Sequence, residues 1–444
     1  MPSSPSPTPL PRRGERFRSL SRIATEGWST GLECVGTGAA LLTPIFLMHG
    51  HGIAEGTIAL TDFCFLAASF RRRDWRWLRT RWLTITFAWW LWVLICSVLA
   101  HQGSILQSVL QLRFFMFVAA LEQFALRDGT ARRWMFRVIA ACAVWIVGHC
   151  AYQLVMGRNL FGWPRGPAGE LTGPFGKPRA GPPLSRIMLP VLLPSIAALL
   201  ARRRRMSSLA AGGLVLGGVC TMVLISQRMP LILVILGLVV SAILLERLRP
   251  LAAVAMIAGS ALIAASIVVA PTSYQRLVVR FSQQIGDFGG SHYGRLYARA
   301  AEIGLQNPWT GLGLDGFRHA CEHSRYFGPS WDGSDADDGG AEICTQHPHN
   351  FYAEALDSGG FPGLALFVAV SIAWLIPLAN GLWHDPNPLR VGLFAAVLIQ
   401  LWPIASTSGF NALPMGGWLF LLLGWGLAEA RAASPSPANG RGRR

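Results

Sequence analysis

The residues best suited to chemistry in this 444-residue chain are a histidine pair and a scattered set of arginines. His347 and His349 flank Pro348 in Thr345-Gln346-His347-Pro348-His349-Asn350. A histidine titrates near working pH, so either can pass a proton. Arg228 stands in Ser226-Gln227-Arg228-Met229-Pro230, a tight turn between two strongly apolar runs with no acidic residue beside it. Two readings are open for it: snorkelling to a membrane boundary, or pointing into a cavity between helices and binding an anion. Arg295 and Arg299 lie four apart in 292–305, a stretch that reads as a helix ended by Asn307-Pro308, so they share a face. That face is either solvated, with Arg299 paired to Glu302, or turned toward phosphate, whose oxygens the planar guanidinium binds two at a time. Arg276, Arg280, Arg318 and Arg325 read equally well as ordinary loop charge or as part of a site, and loss of Arg276 is expected to be mild.

The elements that must position these residues are set by composition. The chain is 52% hydrophobic and 14% charged, where a soluble protein carries roughly 25% charged residues. A disordered chain is thereby excluded and a soluble multi-domain enzyme disfavoured. The expected fold is an all-α polytopic integral membrane protein of about twelve transmembrane helices, near 31–48, 52–70, 83–100, 105–126, 138–156, 184–200, 207–226, 229–245, 251–270, 361–380, 391–405 and 414–430. Residues 1–30, rich in Pro, Ser and Arg, read as a cytoplasmic basic tail and not as a cleavable signal, and 431–444 as a second tail. Spans one to nine occupy 31–270, with an outward loop at 157–183, and the last three spans occupy 361–430. Between the two sets lies a large outward loop, 271–360, of the kind that carries function on a rigid scaffold. The net charge of +16 is mostly a topology signal: arginines collect in alternate connections, which the positive-inside rule assigns to the cytoplasm together with both termini. No nucleic-acid partner is needed to explain it. Arg113, beside Gln111 in the fourth span, must face protein or water; a structural partner (Asp62 or Glu122) and a substrate role are both open.

The stretch from His349 carries a pattern. His349-Asn350, nine residues, then Gly360-Phe361-Pro362-Gly363 matches His-[Asn/Ser/Gln]-x9-Gly-x2-Gly, and Asn307-Pro308-Trp309-Thr310-Gly311-Leu312-Gly313 precedes it. In these motifs, and in span number and loop placement, the chain resembles the O-antigen ligase and polymerase superfamily of bacterial envelope glycosyltransferases. The resemblance implies a GT-C-like fold in the inner membrane with an active site facing the periplasm. It implies transfer of a preassembled glycan from undecaprenyl pyrophosphate to a sugar hydroxyl of the lipid A core, with no cofactor and no metal. It further implies His349 as general base and Arg228 and Arg295 as pyrophosphate ligands. Arg299 joins them as a third cation, with His347, Asn350, Lys177 and Arg186 as supporting residues. The acidic insert 331–342 has no counterpart in the family pattern.

The chemistry agrees with the residue types. An acceptor hydroxyl must lose a proton as it attacks the anomeric carbon, and a pyrophosphate must leave with its charge stabilised. A single displacement would invert the anomeric centre. A metal route fits poorly, since Asp332, Asp335, Asp337, Asp338 and Glu342 depart from the calcium-loop spacing, with Gly339 at the fifth position from Asp335. Six cysteines lie in apolar spans; Cys321 and Cys344 both fall in the outward loop, in an oxidising compartment, and are expected to pair. Two alternatives are weighed. An O-antigen polymerase or protein-directed oligosaccharyltransferase shares the donor chemistry, while a transporter of lipid-linked glycans would show paired half-repeats, which are absent. The lipid bilayer, the lipid-linked donor and the lipid A core are the expected partners; the glycan, the acceptor sugar and the oligomeric state stay open.

Overall fold

The computed structural model describes residues 13–100, 103–327, 340–405, 409–413 and 415–434, with side chains from Thr30 onward. A run of apolar residues in lipid has no water to pair its amides, so it must close its own backbone hydrogen bonds as a helix. The elements are α1 (Arg13–His49), α2 (His51–Arg72), α3 (Arg81–Leu99), α4 (Ile105–Ala120), α5 (Gly129–Met156), α6 (Gly181–Ala201), α7 (Arg205–Ile225), α8 (Arg228–Leu244), α9 (Arg249–Val269), α10 (Pro271–Tyr274), α11 (Arg280–Gly286), α12 (His292–Gln306), α13 (Gly316–Ala320), α14 (Phe351–Ala379), α15 (Pro388–Gln400) and α16 (Met415–Ala433). Among the described residues there is no strand, only an isolated bridge between Arg158 and Pro164.

Nine helices among the described residues are long and apolar enough to cross a membrane: the Thr30–His49 part of α1, α2 to α7, the segment Glu246–Val268 that contains most of α9, and α14. Helices α8 and α15 are apolar but shorter, and α16 adds another apolar run. Large apolar side chains such as Phe63, Phe70, Val144 and Val155 stay exposed on these helices, as suits a surface solvated by lipid.

Aromatic rings fill the interior around Phe410, which lies 5.1 Å from Phe420, 5.2 Å from Phe351, 5.4 Å from Phe367 and 5.5 Å from Trp89 between ring centroids. This ring anchors the connection between α15 and α16 against α14. Arg113 finds its partner in Glu55 of α2, with Nε and Nη2 each 2.8 Å from a carboxylate oxygen. This corrects the expected pairing with Asp62 or Glu122; Glu122 instead accepts the Trp82 indole N–H at 3.0 Å.

The two long connections meet at one end of the bundle. In 157–183, Asn159 Oδ1 accepts the amides of Phe161 and Trp163 and its Nδ2 donates to Gly173 O, which ties the loop into a compact turn. Glu170 of this loop forms an ion pair with Arg276, and Gln227 bonds Gly181 N and Pro178 O. The segment after α9 folds on a small core of Leu296, Ala300, Ile303, Leu312, Phe317, Ala320 and Tyr326. Cys321 and Cys344 are joined there by a disulfide across 23 residues.

Helix α14 begins at Phe351, well before the expected start at 361, and is kinked at Gly360. The added length carries Asp357 into a buried position, 1% exposed, with Glu354 half-buried before it.

Candidate functional site

The kink in α14 is a joint made by the two glycine motifs. Gly360 adopts φ 64° and ψ −164°, a region open essentially to glycine alone. The break frees amides and carbonyls that an unbroken helix would pair. Phe361 N donates to Pro308 O at 2.8 Å, Leu312 N to Asp357 O at 2.7 Å, and the Trp92 indole to Gly359 O at 2.8 Å. The loop of Asn307-Pro308-Trp309-Thr310-Gly311-Leu312 therefore lies directly on the kink. Gly311, at φ 58°, is so close that a Cβ there would meet backbone atoms of Asp357, Gly359 and Gly360. Gly363 packs with ordinary helical backbone, its α-carbon facing Ala355 O.

One helical stretch before this joint stands His349. Asn350 caps α14, its Oδ1 accepting Tyr352 N at 2.9 Å and Ala353 N at 3.2 Å while its Nδ2 donates to Pro403 O at 2.7 Å. Nearby, burial pushes up the pKa of the Tyr297 hydroxyl. His349 itself is left-handed, with φ 54°. Held between Pro348 and the cap, it has its side chain aimed by the turn. Its ring meets the His347 ring at 4.4 Å and the edge of Tyr293 at 5.8 Å between centroids. His347 is held well below the usual imidazole range, at about 4, chiefly by burial and then by its histidine neighbour.

Tyr293 connects His349 to a group of cations. It is an electrostatic neighbour of both Arg228 and Arg276, and Arg280 acts on the same two arginines. Burial, then Arg280, lowers the Arg276 pKa. Arg228 donates to Gln284 Oε1, and Arg276 is neutralised by Glu170, whose side chain is 4% exposed. Arg228 and Arg280 have no carboxylate partner among the described residues, so the cluster keeps a surplus of positive charge facing Tyr293.

The remaining expected site residues separate. Arg299 is fully buried in the loop core, donating to Cys321 O and Gly340 O with its guanidinium 3.9 Å over the Phe327 ring. This geometry serves the loop fold, and Glu302 accepts from Gln306. Arg295 is half-buried on a different face of α12 from Tyr293 and Tyr297. Arg186 is buried in α6, bonded to Gln400 Oε1 at 2.8 Å and touching Met415 Sδ. Lys177 is exposed and, with Arg179, His49 and His51, edges a mostly apolar cavity of about 360 Å³. Tyr293 and Glu170 were missed by sequence reasoning as site neighbours, and Arg280 was left open between loop charge and site; the four-residue spacing of Arg276 and Arg280 was a signal that they share a helix face. Among the described residues no group of three His, Cys, Asp or Glu side chains could hold a metal ion. Asp332, Asp335, Asp337 and Asp338 of the acidic insert lie outside the described residues.

The helices and this site define a multi-pass membrane protein with a histidine set beside a cationic cluster. Residues 212–368, a segment from within α7 to within α14, match the family model described as O-Antigen ligase. The segment contains Arg228, Arg276, Arg280, Tyr293, Arg295, His347, His349, Gly360 and Gly363. The family implies a glycosyltransferase-type enzyme of the O-antigen ligase and polymerase kind. No curated protein matches the chain.

Proposed function

We propose that the protein ligates a glycan carried on undecaprenyl pyrophosphate onto a sugar hydroxyl of the lipid A core, at the periplasmic face of the inner membrane. The reading places twelve spans, α8, α15 and α16 among them, with both basic termini in the cytoplasm. The observation that supports it most is the placement of His349 beside Tyr293, which is also an electrostatic neighbour of Arg228 and Arg276. A proton acceptor and unpaired cations in one place answer the two demands of the reaction. His349 takes the proton of the acceptor hydroxyl as its oxygen bonds the anomeric carbon. The bond from that carbon to the pyrophosphate oxygen breaks, and undecaprenyl pyrophosphate leaves with the electron pair. Arg228 and Arg280 stabilise the charge that develops on it. One displacement inverts the anomeric centre, so a product of retained configuration would refute that part.

A polymerase or a protein-directed oligosaccharyltransferase would use the same base and cations; the ligase description of the family match favours the lipid A core as acceptor. Donor binding tests the cationic half of the reading. Purified protein is titrated with undecaprenyl pyrophosphate: Arg228→Ala and Arg280→Ala are expected to weaken binding by about tenfold each, as loss of one charged hydrogen-bonding partner does. Equal binding by wild type and both variants would remove these arginines from the donor site.

A further inference from the structure

A second cavity, of about 240 Å³, opens beside His347. Asp315, Arg318, Glu354, Asn411 and Gln107 line it together with the ring of Phe317. Its polar groups are not consumed within the protein. His347 Nδ1 and Asn411 Oδ1 are buried without a hydrogen-bond partner. Glu354 uses one oxygen to accept Phe410 N at 2.9 Å, which leaves the other for a ligand. Asp315 meets His319 at 3.8 Å, beyond hydrogen-bond distance, and Arg318 has no ion pair or hydrogen bond among the described residues.

An apolar occupant would leave these groups unpaired at a cost of about 1–3 kcal/mol each. A phosphate would meet two carboxylates. A neutral ring bearing several hydroxyls satisfies both kinds of group, since every hydroxyl donates and accepts. Phe317 supplies an apolar wall for the ring's carbon face. The volume lies below the ~300–1,000 Å³ of sites for drug-sized ligands, which suits a single monosaccharide unit.

We propose that this cavity seats the acceptor sugar, with Asp315, Glu354, Arg318 and Asn411 binding its hydroxyls, and that it opens toward His349 past His347. The proposal rests on the glycosyl-transfer reading above. His347 stays neutral at working pH and so meets a hydroxyl as a hydrogen-bonding partner and not as a second cation.

The test uses the full chain in detergent and a water-soluble probe, the deacylated lipid A core oligosaccharide. Wild type is expected to bind it, and Asp315→Asn and Asn411→Ala to weaken binding about tenfold. Asparagine tolerates the left-handed backbone of position 315, and Arg318→Gln, at an exposed side chain, provides a further variant that leaves folding alone. Arg228→Ala is expected to bind the oligosaccharide as wild type does. In transfer assays the pocket variants raise the KM for acceptor with kcat nearly unchanged. Unchanged binding in all three pocket variants, or no binding by wild type, overturns the proposal. Wild type that binds the oligosaccharide but transfers nothing to it sinks the ligase reading and leaves the sugar site standing; active wild type with unaltered KM in the variants does the reverse.

Discussion

Replacing Gly360 by alanine strikes the joint on which the site is built. The backbone there, φ 64° and ψ −164°, costs a residue with a Cβ about 1–3 kcal/mol. The new methyl would also meet the backbone of Pro308 and Trp309, with the Trp309 carbonyl carbon at 2.6 Å. Those atoms belong to the loop that rests on the kink and cannot swing away as a flexible side chain would. If the loop retreats, Phe361 N loses Pro308 O, and an unpaired buried amide costs a further 1–3 kcal/mol or about that. The sum, roughly 2–6 kcal/mol, is a large part of the stability of an ordinary domain. Gly363→Ala has no backbone penalty and meets Ala355 O at 3.0 Å and the Trp92 ring at an ordinary 3.6 Å, so it should cost about 1 kcal/mol or less. Gly212→Ala, with nothing within 4 Å in the interior of α7, should be neutral or slightly stabilising, because alanine is the better helix former by about 1 kcal/mol. The assay is the apparent melting temperature of each purified variant in one detergent. The predicted order is Gly360→Ala lowest, Gly363→Ala next, and Gly212→Ala at or above wild type. Gly360→Ala melting together with Gly212→Ala would refute the reasoning.

Arg276→Ala is expected to be destabilising by about 2 kcal/mol, because it removes the ion-pair partner of the buried Glu170 carboxylate. Adding Glu170→Gln should recover most of that loss, and a double-mutant cycle measures the coupling. Arg299→Gln should lower the melting temperature by stranding Cys321 O and Gly340 O, whereas Arg295→Ala should leave it unchanged; the two melting curves decide. His347, depressed to about 4 in the folded chain against 6.5 when unfolded, favours folding above pH 6.5 relative to acid. The unfolded chain takes up the proton first as pH falls, so stability declines between about pH 6.5 and 4. A His347→Asn variant should show a shallower decline over that window in melting temperature against pH.

Much of the helical architecture was legible because a run of about 20 apolar residues has few alternatives to a membrane helix. The start of α14 was not, because Glu354 and Asp357 interrupt the apolar run and only the assembled bundle buries Asp357. Arg113 visibly required a partner, yet Glu55 was identifiable only once α2 was known to lie beside α4. The spacing of Arg295 and Arg299 correctly placed them on one helix, but periodicity does not say which face turns inward, and Arg299 went to the loop core. Glu170 was invisible as a site neighbour, since 106 residues separate it from Arg276. The motif around His349 and Gly360 was legible as a pattern; its physical content, a kink locked by a second glycine loop, needed the backbone.

The most direct test of the central claim is transfer itself. Purified protein is reconstituted with undecaprenyl-pyrophosphate-linked glycan and lipid A core, and the ligated product is quantified for wild type and His349→Ala. Base catalysis typically contributes about 10²–10⁴-fold, so the account predicts product from wild type and a loss of that order in the variant, with the fold retained. Undiminished transfer by a well-folded His349→Ala would contradict it.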